Sequence, residues 1–175
     1  MKLKPGDKIP QLELRTVEGT TVQVPNAGSR FVHLQFRRYA GCPICNTHLH
    51  AFVKRIDDLK TAGVAEVVFF HASVAEMKKY LSDLPFDFVA DREKRYYKQF
   101  GVETSLMAAF SPSAMVAGLR GIAKGVLTPN MEGGPNGLPA DILVDAAGTT
   151  VAVKYGKHAN DQWSAEQLLS LVATL

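Results

Sequence analysis

Cysteine is scarce: Cys42 and Cys45 are the only two in 175 residues. A framework of several structural disulfides is therefore excluded. Tryptophan is scarcer, with Trp163 alone. No stretch approaches the ~20 consecutive apolar residues of a spanning helix, so no membrane partner is expected. Net charge is +3 without a dense basic tract, so nucleic acid is not implied as a partner. Internal repeats and low-complexity tracts are lacking, and the length suits one domain over residues 1–175. Met1 to Asp7 lacks the apolar run of a signal peptide, which argues for a cytoplasmic protein. In that compartment disulfides are usually transient, so a close cysteine pair is catalytic or metal-binding rather than structural.

What is present centres on residues 31–45. Phe31 to Phe36 reads as a short buried strand. Arg37, Arg38, Tyr39 and a small-residue turn follow, then Cys42-Pro43-Ile44-Cys45. Pro43 suits the first turn of a helix, where its missing N–H has no helical partner to lose. Cys42 then caps the helix, and free N–H groups with the positive end of the macrodipole favour a thiolate there. Arg37 and Arg38 add positive charge. Three-residue helical spacing puts the two Cα atoms within disulfide reach. The expected chemistry is attack by Cys42 and resolution by Cys45, through a redox disulfide between them.

Leu12 and Leu14, then Val22 and Val24, alternate on either side of Glu18-Gly19 and predict an N-terminal β-hairpin. After Cys45 a helix is expected to about Thr61, closed by Gly63. A second apolar strand covers Ala65 to Phe70, and Ser73 to Glu76 is a capping box opening a helix. Phe86 to Ala90 is a short strand, and Asp91 caps a helix over about 92–100, packed by Tyr96 and Tyr97. Ser111-Pro112 opens a helix to about Leu119. Residues 121–137, rich in Gly, Asn and Pro, read as a loop insertion over the active site, with Arg120 beside it as a solvated residue or an anion contact. A hairpin over 138–155 and a capped final helix from Ser164 complete the chain, with Trp163 as a hydrophobic staple. Strands separated by helices give parallel crossovers, and C-x-x-C at the first crossover is a thioredoxin-like signature. The fold class is α/β: a central mixed sheet flanked by helices, with an N-terminal hairpin and an insertion before the C-terminal one.

Pro5-Gly6-Asp7 to Leu14, Leu84 to Asp91, Tyr96 to Val102, Cys42 to Cys45 and Leu138-Pro139 together resemble the peroxiredoxin-like branch of the alkyl hydroperoxide reductase/thiol-specific antioxidant superfamily, within the thioredoxin fold. The resemblance implies a thiol-disulfide oxidoreductase or antioxidant protein that reduces peroxides or disulfides and uses no cofactor. It implies a thiol electron donor, thioredoxin-like or of low molecular weight, and it allows a homodimer. It also implies a cis Leu138–Pro139 peptide against the Cys42 sulfur. The chain departs from the family's P-x-x-x-T/S-x-x-C. With Cys42 as nucleophile, Tyr39 takes the hydroxyl position and Gln35 the proline. With Cys45, those places hold Cys42 and Arg38.

Topology also brings the Tyr155-Gly156-Lys157-His158 turn toward the cysteines, which makes His158 a candidate proton carrier. Two alternatives stay open: a metal site built from Cys42, Cys45, His48 and His50, although no second ligand pair completes it, and a non-catalytic binding module on the same fold.

Overall fold

The computed structural model describes residues 2–81, 83–103, 132, 134 and 136–175. The expected helix over 111–119, Arg120 and most of the 121–137 insertion lie outside the described residues. Strands β1 (Leu12–Arg15) and β2 (Thr21–Val24) form the N-terminal antiparallel hairpin. Strands β3 (Phe31–Phe36), β4 (Val64–Phe70), β5 (Asp87–Ala90), β6 (Ala140–Asp145) and β7 (Thr150–Tyr155) form the main sheet in the order β5-β4-β3-β6-β7. The pairings β3–β4 and β4–β5 are parallel, whereas β3–β6 and β6–β7 are antiparallel. The sheet is therefore mixed, as expected.

Helices α1 (Pro43–Val53) and α2 (Ile56–Thr61) take the place of the single helix expected to Thr61. The break falls at Arg55, whose backbone leaves the helical region at φ −118°, ψ 16°. Its guanidinium bonds Asp58 at 2.5 Å and Glu166 at 3.2 Å, which ties α2 to the C-terminal helix. Helix α3 spans Val74–Leu81, and Ser73 Oγ accepts from Glu76 N–H at 3.2 Å. Helix α4 is shorter than expected, Arg95–Gln99. The Asp91 carboxylate accepts from the N–H groups of Arg95, Tyr96 and Tyr97, so the cap acts across a turn rather than directly. Helix α5 (Ala165–Val172) carries the full capping box of Ser164 and Gln167.

Alternation in β3 and β4 builds two apolar layers. Val32, Leu34, Phe36, Val67 and Phe69 pack with Leu12, Leu14, Val24, Tyr97 and Phe100, so the hairpin and α4 close one face. Val68 and Phe70 face Cys42, Ile44, Cys45, Leu49 and Met77 on the other. Phe31, Phe52, Leu59, Leu168 and Val172 continue that second layer, with Trp163 against it as the staple.

Leu138–Pro139 is trans, contrary to expectation; among the described residues the cis peptide is Val24–Pro25. The backbone on either side of Pro139 is occupied by its own chain. Leu138 N–H donates to Glu103 O at 3.1 Å, and Pro139 O accepts from Gly156 N–H at 2.9 Å. No described helix is long and apolar enough to cross a membrane.

Candidate active site

Cys42 is the N-cap of α1, with φ −65° and ψ 115°, and its Sγ accepts from Cys45 N–H at 3.4 Å. Pro43 occupies the first turn, as its ring geometry favours. Asn46 fixes the preceding turn by donating to Ala40 O at 2.8 Å and Cys42 O at 3.0 Å. Both cysteines are reduced and almost fully enclosed, at 0% and 1% exposure. Arg38 Nη1 lies 3.9 Å from Cys42 Sγ, and its guanidinium stands over the Tyr39 ring at 5.5 Å. Burial first, and then the Cys42 charge, push the Tyr39 phenol up to about 12, so it stays protonated.

The two sulfurs share a hydrogen bond, and their surroundings differ in sign. Burial, then the bond to Cys45 and the Cys45 charge, push the Cys42 thiol well up, against the Arg38 charge. Burial also acts to raise Cys45. It is outweighed by the Cys42 S–H, the Arg38 guanidinium, the Arg38 backbone N–H and the Arg37 charge, which bring Cys45 to about 7. The two thiols titrate together: the Arg38 guanidinium and the Cys45 N–H reach Cys42 Sγ, while Arg38 and Arg37 also act to lower Cys45. Arg37 and Arg38 precede the pair in the chain, so these charges are local to the loop between β3 and α1.

Under the cysteines lies a buried polar network that sequence reading missed. Phe31 to Phe36 is not a uniform apolar strand, since His33 and Gln35 alternate into it and both are fully buried. His33 Nδ1 meets Glu66 at 2.8 Å and its Nε2 meets Asp141 at 3.2 Å. Asp141 also binds Arg37 Nη2 at 2.6 Å and Trp163 N–H at 2.9 Å. Gln35 links Glu66 to Arg37, with bonds of 2.5 Å and 2.6 Å. Burial opposes the His33 charge, but Glu66 and Asp141 raise it to about 9. Burial likewise opposes the Asp141 charge, yet Arg37 and His33 hold that carboxyl far below its usual range. The period-two pattern His33, Gln35, Arg37 is the signal that marks this face.

Arg37 Nη2 lies 3.0 Å from His48 Nε2, and burial followed by the Arg37 charge holds His48 well below its usual value. That nitrogen accepts from Arg37, so its lone pair is already used, and His50 is exposed on α1. Tyr97 departs from a pure packing role: its hydroxyl donates to the carbonyls of Arg37 and, at 2.9 Å, Phe69.

The turn after β7 passes close to Pro139. A Cβ on Gly156 would stand 2.7 Å from Pro139 Cγ and 2.9 Å from Pro139 O. Ala159 packs among the cysteine cluster. His158 turns to its own loop, where Nδ1 accepts from Asn160 N–H at 3.3 Å.

The chain is similar to known proteins. The AhpC/TSA family model matches residues 5–153. A peroxiredoxin of Hyperthermus butylicus is 28% identical over 180 residues, covering 94% of this chain and 74% of the relative. Peroxidoxin BcpB from Mycobacterium tuberculosis superposes with a TM-score of 0.72 at 16% identity, covering 99% of this chain and 98% of that one. A putative thiol:disulfide interchange protein DsbE from Chlorobium tepidum gives 0.63 at 18%, covering 98% and 99%. Those two structures share the fold; the family match reaches the chemistry, and by it this chain belongs to the AhpC/TSA family and is a thiol-dependent oxidoreductase.

Proposed function

We propose that the chain reduces small hydroperoxides with Cys45 as the attacking thiolate and Cys42 as the resolving thiol. What supports this is the adjacent, enclosed thiol pair beside Arg38, with the Cys42 thiol and the Arg38 and Arg37 charges acting to lower Cys45. The Cys45 thiolate attacks the terminal peroxide oxygen. An S–O bond forms, the O–O bond breaks, and the alkoxide leaves as an alcohol after taking a proton. The Cys42 sulfur then attacks the sulfenic acid: the S–S bond forms, the S–O bond breaks, and water departs. Two equivalents of an external thiol return the pair to dithiol and leave as a disulfide.

Burial of both sulfurs supports a small oxidant over a folded protein disulfide. The backbone at Pro139, occupied by Glu103 and Gly156, offers no unpaired N–H to a substrate strand there. Arg38, Tyr39, Pro43 and Pro139 support the pair by charge, enclosure and helix start. His158 turns to its own loop, so no proton-carrying step is assigned to it.

The test is stopped-flow oxidation of the reduced protein by hydrogen peroxide, an organic hydroperoxide and a protein disulfide. Cys45→Ser should abolish the peroxide reaction, whereas Cys42→Ser should keep the first step and accumulate the sulfenic acid. A faster reaction with the protein disulfide, or a peroxide reaction that survives Cys45→Ser, overturns the proposal.

A further inference from the structure

The peptide joining Arg37 to Arg38 lies just beyond the end of β3. A regular parallel ladder with β4 would continue there. Arg37 N–H does donate to Phe69 O at 2.8 Å, and the next bond would run from His71 N–H to Arg37 O. That bond is displaced by one residue: His71 N–H donates instead to Arg38 O at 3.3 Å. The Arg37 carbonyl is taken by the Tyr97 hydroxyl, which also reaches Phe69 O at 2.9 Å. A side chain of α4 thus replaces a backbone donor where the chain leaves the sheet for the cysteines.

Tyr97 is itself firmly placed. Its backbone N–H bonds the Asp91 carboxylate at 3.2 Å. Its ring meets Phe36 edge-on at 5.2 Å and His71 edge-on at 5.5 Å. The residue is buried, and a buried phenol hydroxyl needs a partner, which the two carbonyls supply. Carbonyls only accept, so the hydroxyl donates. Burial first, and then the Asp91 charge, push the phenol well above its ordinary value, so it keeps that proton.

The other end of the same peptide faces the dithiol. The Arg37–Arg38 bond is trans, since among the described residues the cis peptide is Val24–Pro25. A planar trans peptide points its N–H opposite to its C=O. With the carbonyl held by Tyr97, the Arg38 N–H is directed to the Cys45 side, where it favours the thiolate. The Arg37 side chain is held as well, because Asp141, Gln35 and His48 meet its guanidinium at 2.6, 2.6 and 3.0 Å. We propose that Tyr97 is a positioning residue for the dithiol: its hydroxyl fixes the Arg37–Arg38 peptide and so keeps the Arg38 N–H directed at Cys45. The proposal rests on the reading above of Cys45 as the attacking sulfur and adds what holds its surroundings in place.

Tyr97→Phe deletes the hydroxyl and keeps the ring, so it isolates this role. Thiolate absorbance of the reduced protein is titrated against pH, and oxidation by hydrogen peroxide near pH ~7 is followed by stopped flow. The thiolate step should move upward in the variant, because the charged form loses a directed N–H. Oxidation should slow about fivefold or more, the worth of one hydrogen bond. Tyr97→para-aminophenylalanine retains a donor at the same place and should recover most of both losses.

Phe100→Leu separates positioning from stability. Phe100 packs in the same apolar layer as Tyr97, with its ring 5.4 Å from Phe36. That variant should lower the urea midpoint and leave the thiolate step and the oxidation rate as in the native protein. An unmoved thiolate step in Tyr97→Phe, no recovery in the amino variant, or an equal change in Phe100→Leu overturns the proposal. A native protein inert to hydrogen peroxide and to organic hydroperoxides removes the peroxide-reducing reading instead, and the thiolate titration still decides the role of Tyr97.

Discussion

The Arg37 guanidinium and the Asp141 carboxylate meet at 2.6 Å with both side chains fully buried. The pair joins the end of β3 to β6, and His33 adds a second cation to the same carboxylate at 3.2 Å. Asp141→Asn keeps the shape and strands both cations. Breaking one partner of a buried pair costs about 3–5 kcal/mol, so the urea midpoint should fall accordingly. A loss below about 1 kcal/mol would show that Arg37 and His33 find other partners.

The same network sets a pH dependence. His33 is raised to about 9, so its contribution is complete below its unfolded value of ~6.5 and is lost as pH rises through about 9. Asp141 is depressed, so its contribution is complete above its unfolded value of ~3.9 and is lost only in strong acid. Between about 4 and 6.5 both act in full. Denaturation series across pH should show stability declining from about 6.5 to 9, by on the order of 2–3 kcal/mol, and His33→Gln should flatten that slope. An unchanged alkaline slope in the variant would assign the decline to other groups.

Thiolate absorbance in the ultraviolet titrates the sulfurs without needing reagent access. The native protein should show one step near 7, which Cys45→Ser abolishes. Arg37→Met should move that step upward, because the variant loses a positive charge that favours the Cys45 thiolate. Retention of the step in Cys45→Ser would return the thiolate to Cys42.

Gly156 lies where the turn after β7 passes Pro139. A Cβ there would come within 2.5 Å of Asp161 O and 2.9 Å of Pro139 O, both backbone atoms. Gly156→Ala should therefore destabilise the protein by about 1–3 kcal/mol, as overpacking does. Thermal unfolding indistinguishable from the native protein would show that the turn can move aside.

Much of this chain was legible because its signals are local. Pro43 after Cys42 fixes a helix start, Ser164 with Gln167 fixes another, and alternation around Glu18-Gly19 fixes the hairpin. The order of strands and helices then leaves few topologies. The two cysteines and their spacing were evident for the same reason. What sequence could not decide is what lies beneath the two sulfurs. His33, Glu66, Arg37 and Asp141 sit on three different strands or their ends, and they meet only once β3, β4 and β6 pair. Likewise His71 faces Gly137 across 66 positions of chain. Electrostatic effects depend on distance and burial rather than on chain separation. The sequence by itself thus determined the elements and the dithiol. The tertiary structure alone decided the polar network beneath that dithiol, because Glu66 and Asp141 reach His33 and Arg37 only through the pairing of β3 with β4 and β6.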